Sequence, residues 1–235
     1  MTRDAAIANG GLDSTAPMSY GVEVVRITEP EYHRGWVPPN KGKTYPVEIL
    51  TPNEIRAIAA QCSTTSTAGI RHRALIVLLY RTGLRIGEAL ALRPKDINLE
   101  IGSVVVLHGK GNRLRTVGID PGANSHIEAW LDRRPTLGPP ADAPLFCTFK
   151  GGPMNASHVR SLLRTLAGRA GIEKRVHPHG FRHTHAYELM MEGIPMPIIQ
   201  QQLGHVSLAT TDRYLSHIAP KLVIETMGQR EWSPE

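Results

Sequence analysis

Cysteine is scarce: Cys62 and Cys147 are the only two in 235 residues. Two thiols cannot build a four-thiolate zinc site or a disulfide framework, and such a chain suits a reducing compartment. No secretion leader is visible, because the opening MTRDAAIANGG has no apolar stretch. Long hydrophobic runs are absent as well. The longest, Ala74 to Tyr80, is far short of the roughly 20 residues that cross a bilayer. There is no HExxH motif, no cysteine pair and no internal repeat. These absences argue against a secreted, stapled or membrane-spanning protein and make a soluble, cytoplasmic one the expectation.

What is present is moderate hydrophobicity, 41% of residues, and a basic balance of +6 with a pI near 9.5. The first is a little low but enough for a core. The length fits one large domain, or one domain with a small extension. The positive charge favours an anionic partner, with nucleic acid the first class to consider.

Residues Met1 to Tyr45 are rich in glycine, proline and polar residues without a sustained period. They read as an arm or linker, with Val22 to Ile27 as a short strand and Arg34, Lys41 and Lys43 as cations that a nucleic acid could meet. The first clear helix starts at Thr51, where Pro52 and Glu54 complete an N-terminal capping box. A second runs from about Ile70 to Thr82, apolar all round at its ALIVLLY centre and stopped by Gly83. Leu84 to Ala91 is a third helical piece. Ile101 to Leu107 and Arg113 to Ile119 then predict a β-hairpin with Lys110 at its Gly-Lys-Gly-Asn tip. A helix over Asn124 to Arg133, a loop from Pro135, and a short strand from Leu145 to Thr148 follow. The remainder is helical: one helix capped by Asn155 or Ser157, then His179 to Met191, Pro197 to Leu203, a helix capped by Ser207 that carries Tyr214, and a tail from Pro220 to Met227. The fold class is therefore mainly α with a small antiparallel β-sheet (α+β).

The stretch from His177 to Tyr214 concentrates the chemistry. It holds a His-Gly-Phe-Arg-His run, a Leu-Gly-His turn, and a tyrosine nine residues beyond that histidine. Transfer of a phosphodiester without a metal needs guanidiniums for the non-bridging oxygens, for which Arg85 and Arg182 are candidates. It also needs an acid for the leaving oxygen, which a lysine on a hairpin tip can be, and an imidazole base. A phenol, with pKa near 10, is a better leaving group than an alkyl alcohol, so a phosphotyrosine link stays reversible without ATP. His177, His179, His183 and His185 are dense, and His179 with His183 has i,i+4 spacing that suits a metal. Packing or a DNA-facing role suits His183 and His185 better. Neither a metal nor a nucleotide cofactor is expected.

Thr82-Gly-Leu-Arg85-Ile-Gly-Glu88-Ala-Leu resembles the first box of the tyrosine recombinases, the phage-integrase-type recombinases. Gly109-Lys110-Gly-Asn-Arg resembles their hairpin lysine, His179-Gly-Phe-Arg182-His183 their His-x-x-Arg motif, and Leu203-Gly-His205 with Thr210-Thr211-Asp-Arg-Tyr214 their closing box. Order and separations fit over Thr51 to His217. Each residue alone has a bland reading: a surface arginine, an i,i+3 partner, a solvated lysine, a half-buried tyrosine. Those readings lose when the boxes occur together.

The resemblance implies the integrase catalytic-domain fold, and Tyr214 as the nucleophile of a 3′-phosphotyrosyl intermediate that frees a 5′-hydroxyl. It implies Arg85 and Arg182 on the scissile phosphate, Lys110 as the acid toward the 5′-oxygen, and His179 in proton transfer with the tyrosine. His205 would hydrogen-bond the phosphate, and Glu88 would orient the arginine and histidine. The expected partner is double-stranded DNA. The expected assembly is a homo-tetramer on two duplexes, held through the C-terminal tail by Leu222, Val223, Ile224, Met227 and Trp232, with room for accessory DNA-bending proteins. Packing of that tail in cis is equally compatible.

The chain departs from the family ahead of Thr51. Residues 1–50 do not read as the helical core-binding domain most members carry, so 51–235 is expected to be the catalytic domain, its tail starting near 218. A compact member and a piece of a longer protein both remain open. A type IB topoisomerase and a non-catalytic DNA-binding regulator on the same fold are the rival functions.

Overall fold

The structure is a computed structural model that describes residues 48–107 and 114–204, together with Ile224, Met227, Gly228 and Arg230. The expectations for the arm before Glu48, for Lys110, for His205, Ser207 and Tyr214, and for Leu222, Val223 and Trp232 concern residues outside this set.

Helix α1 (Pro52–Ala60) begins as its sequence predicts. Thr51 Oγ1 accepts the Glu54 N–H at 3.2 Å and the Glu54 carboxylate accepts the Thr51 N–H at 2.7 Å, a reciprocal cap. Helix α2 (Thr67–Thr82) starts three residues before Ile70, because Ser66 Oγ accepts the Gly69 N–H and caps it within the Ser/Thr-rich loop. Residues Ala74 to Leu79 are all buried, so α2 is the central helix. It packs against α4 (Asn124–Arg133) and α6 (Pro178–Met191), while α1 lies on α5 (Ala156–Arg169). Helix α3 (Ile86–Ala91) is shorter than the predicted piece, since Arg85 is extended at its N-cap.

Strands β1 (Ile97–Asn98), β2 (Ser103–Val106) and β3 (Arg115–Gly118) form an antiparallel sheet in that order, with Val104 opposite Val117 and Val106 opposite Arg115. Val104, Val106 and Val117 point into the core. The two-residue β1 was not legible in the sequence.

The predicted strand at Leu145 to Thr148 is a correction. Among these residues only an isolated bridge forms, between Cys147 and Pro153. Leu145, Phe146 and Cys147 thread the core fully buried, so their backbone must find partners other than a ladder. Leu145 N–H donates to the Leu92 carbonyl at 2.6 Å, Trp130 Nε1 donates to the Leu145 carbonyl at 2.8 Å, and Arg71 Nη1 donates to the Cys147 carbonyl at 2.6 Å.

Asn155 rather than Ser157 caps α5, and Val159, Leu162, Leu163 and Leu166 turn inward as the stripe predicts. Helix α7 (Met196–Leu203) closes the described core and ends at Gly204. The architecture is mainly α with a small antiparallel sheet. Both cysteines are buried and unpaired. Among the described residues no helix is long and apolar enough to cross a membrane.

Candidate active site

The turn from α2 into α3 sets the first side of the site. Gly83 sits at φ +63°, and a Cβ there would meet His185 Cδ2 at 2.8 Å, so the position requires glycine on both counts. The turn buries Leu84 and leaves Arg85 extended. Glu88, one turn on, accepts the Arg85 N–H at 2.8 Å and Arg85 Nη1 at 2.9 Å. Arg115 reaches over from β3 and donates Nη1 and Nη2 to the two Glu88 oxygens at 3.0 and 2.9 Å. This is the fork-to-fork geometry that favours arginine over lysine. Burial of Glu88 works to raise its pKa, but the Arg115 hydrogen bonds, the Arg85 N–H and the two guanidinium charges outweigh it and hold the carboxyl below the usual range. Glu88 is thus an ionised, buried anchor for Arg85.

Sequence reasoning missed Arg115. The signal was present: Arg115 shares a strand face with inward-pointing Val117, and an arginine in a core-facing register implies a buried anion.

Helix α6 supplies the second side. His177 is its N-cap, with Nδ1 accepting the Gly180 N–H at 3.2 Å, and Pro178 takes the first helical position. The helix therefore starts one residue before the predicted His179. Arg182 is 1% exposed. Its Nη1 donates to the Gly83 carbonyl at 2.7 Å and its Nη2 to the Leu203 carbonyl at 2.6 Å, which ties the ends of α2 and α7 together. His179 and His183 rings meet edge to face, centroids 4.6 Å apart. Partial burial, then the charges of Arg182, His177 and Arg85, lower the His179 imidazole to about 4, while its outer edge stays open to solvent. His179 is neutral near pH 7 and able to accept a proton. His185 is buried against Gly83 and is also lowered to about 4, by burial first and then Arg81.

Arg85, His177 and His179 line a cavity of about 360 Å³ together with Arg160 of α5 and Arg175, and among the described residues no carboxylate lines it, although Glu48 accepts the Arg175 N–H at 2.6 Å. Guanidiniums and imidazoles at a helix N-terminus suit an oxyanion of the phosphodiester class. Arg160 and Arg175 were not singled out from the sequence. Arg175 stands two residues before the α6 cap and was within reach of such a reading. Arg160 was not, because only the packing of α5 brings it here. Arg182 does not line this cavity. Among the described residues no group of three or more histidines, cysteines or carboxylates is placed to hold a metal. Lys110, His205 and Tyr214 lie outside the described residues; β2 ends before the segment with Lys110 and β3 begins after it, and Gly204, at φ +65° against the Arg115 guanidinium, precedes His205.

The profile of the Phage integrase family matches residues 48–220. The chain belongs to the phage integrase family. It is 31% identical over 192 residues to tyrosine recombinase XerC of Bacillus subtilis (strain 168), a match covering 80% of this chain and 62% of that protein. It is 34% identical over 185 residues to tyrosine recombinase XerD of Corynebacterium glutamicum, covering 77% of this chain and 60% of that one. The chain therefore spans less than two thirds of the length of these curated relatives. Among solved structures, XerA recombinase aligns with a TM-score of 0.69 at 28% identity, over 83% of this chain and 70% of that chain. The XerH site-specific recombinase in a post-cleavage complex with palindromic difH substrate aligns with a TM-score of 0.66 at 27% identity, over 79% and 54%.

Proposed function

We propose that this phage integrase family chain carries the catalytic part of a site-specific DNA recombinase, within residues 51–235. The observation that carries the proposal is one cavity lined by both Arg85 and His179, with Arg85 fixed by the buried Glu88. In this mechanism Arg85 holds a non-bridging oxygen of the scissile phosphate, while Arg182, expected on the phosphate from its motif, is buried with Nη1 and Nη2 on the Gly83 and Leu203 carbonyls and holds the turn that carries Arg85. The Tyr214 oxygen attacks phosphorus, and the P–O5′ bond breaks. The phenolic proton passes to His179, Lys110 protonates the departing 5′-oxygen, and His205 hydrogen-bonds the phosphate. Attack of a second 5′-hydroxyl on the phosphotyrosyl bond returns the phenol and joins the new strand. His179 fits the base role because its neutral form is favoured by the adjacent guanidiniums until a phosphate anion arrives to offset them.

The substrate is double-stranded DNA, which fits the net charge of +6. The XerH recombinase named above is bound to its palindromic difH substrate. Strand exchange needs protomers in pairs on two duplexes, and the C-terminal tail is the segment proposed to join them in a tetramer. Within it Ile224 and Met227 are exposed apolar side chains, at 71% and 51%. The test is incubation with nicked suicide duplexes taken from DNA flanking the chain's own gene, followed by denaturing electrophoresis. A protein–DNA adduct with sequence preference supports recombination. Relaxation of any supercoiled plasmid points instead to a type IB topoisomerase, and tight binding without an adduct to a DNA-binding regulator.

A further inference from the structure

We infer that Gln202 is a positioning residue for the strand cleavage proposed above, on which this inference rests: its side-chain amide fastens α7, β3 and the end of α2 to one another. The amide works at both ends. Its Oε1 accepts the Gly118 N–H at 2.8 Å, and its Nε2 donates to the Gly118 carbonyl at 2.8 Å and to the Thr82 carbonyl at 3.2 Å. An amide nitrogen has two hydrogens, one for each of these carbonyls. At the last residue of β3, the side chain thus plays the part of a neighbouring strand.

The segments held are those that carry the site. Leu203, next to Gln202, gives its carbonyl to Arg182 Nη2, and Gly83, next to Thr82, gives its carbonyl to Arg182 Nη1. Gly118 lies on the same short strand as Arg115, which grips Glu88 and through it Arg85. One amide therefore relates Arg85 and Arg182 to strand β3, which follows the segment with Lys110. Gly118 is exposed and Gln202 only half-buried, so water can replace these hydrogen bonds at little cost in stability. Water cannot replace the tether, which separates positioning from mere support of the fold.

The experiment uses the full chain with Gln202→Leu and Gln202→Glu, read by single-turnover adduct formation on saturating suicide duplex, DNA affinity and thermal unfolding. Gln202→Leu keeps the bulk and removes the clip. Its cleavage rate is expected to fall about 10²-fold, the size of effect that misplacing reacting groups by about 1 Å produces, while affinity stays within about twofold on the same ground. Gln202→Glu keeps the acceptor for Gly118 N–H and sets a carboxylate against two carbonyls. The two carbonyl oxygens facing the introduced carboxyl favour its neutral form and lift it above the ordinary glutamate range, so lowering the pH from about 7 to about 5 protonates a growing share of it and restores one donor, and its rate relative to the unaltered chain is expected to rise.

Facing this position are His185 from α6, already neutral, and the carbonyls of Thr82 and Gly118. Arg81, Asp120, Glu188 and Glu192 line the adjoining cavity and are present in both chains, and the amide nitrogen of Gln202 lies 3.5 Å from His185 Nε2. An unchanged rate in Gln202→Leu, or a deficit in Gln202→Glu that low pH does not relieve, overturns the inference. Should Gln202→Leu unfold at the assay temperature, the Gln202→Glu pH profile decides alone. Absence of any adduct with the unaltered chain overturns the proposed function and this inference together. Adduct formation that the variants leave intact overturns only the inference.

Discussion

Glu88 keeps a full negative charge with 4% of its side chain exposed, which is tolerable because Arg85 and Arg115 both donate to it. Glu88 and Arg85 should part company on mutation. Glu88→Gln leaves Arg115 facing a neutral amide, and loss of one partner of a buried pair costs about 3–5 kcal/mol, measurable as a lower urea midpoint. Arg85→Ala removes a guanidinium that is 33% exposed, where ion pairs are worth about 0–1 kcal/mol. That variant should stay folded and lose adduct formation. Equal stability losses for the two would contradict the assignment of Glu88 as anchor and Arg85 as phosphate ligand. His179 makes a separate prediction. With partial burial, Arg182, His177 and Arg85 all disfavouring its imidazolium, it should titrate well below 6.5 by NMR in the free protein. Its pKa should rise when a duplex places a phosphate anion in the cavity. A downward or absent shift with bound DNA would remove it as the base.

At the scale of elements, the α2–α3 turn is the feature that positions the most chemistry. Gly83→Ala demands a left-handed residue, about 1–2 kcal/mol, and pushes a methyl into the His185 ring 2.8 Å away. We expect a lowered Tm together with slower cleavage, since the Gly83 carbonyl holds Arg182. A variant with unaltered Tm would mean the turn is not strained by a side chain. The elements most legible in the sequence were those with local signals: the Thr51 box, the Gly83 stop, the stripe of α5 and the β-branched run of β2. Where long-range pairing decided, the sequence was silent. Strand β1 is two residues long and exists only through β2. Leu145 to Cys147 has the composition of a strand, yet its carbonyls are taken by Trp130 and Arg71 from elsewhere in the chain. Arg85, Glu88, His179 and Arg182 stand in motifs that the sequence displays, but the burial of Arg182 away from the cavity was not legible there. Arg115, Arg160 and Gln202 were not legible either, because each acts through a partner distant in sequence.

Across the whole molecule, the half-buried His72 and the buried His185 both weaken the fold toward acid pH. Burial, then neighbouring Arg71 and His158, lowers His72 to about 4, and burial with Arg81 does the same for His185. The unfolded chain, with imidazoles near 6.5, binds the extra protons between those values. The stability these groups allow is present above about pH 6.5 and is lost as pH falls toward about 4. Replacing His185 by Phe should make that acid slope shallower by about one proton, read from urea midpoints against pH. An unchanged slope would show that His185 is not held neutral in the folded state. The central claim concerns the whole chain acting on DNA, and mapping the covalent adduct tests it most directly. The suicide-duplex product would be digested and its modified peptide identified by mass spectrometry, with Tyr214→Phe run alongside. The account predicts a nucleotide on Tyr214 and no adduct from the variant. An adduct on another residue, or one that survives Tyr214→Phe, would contradict it.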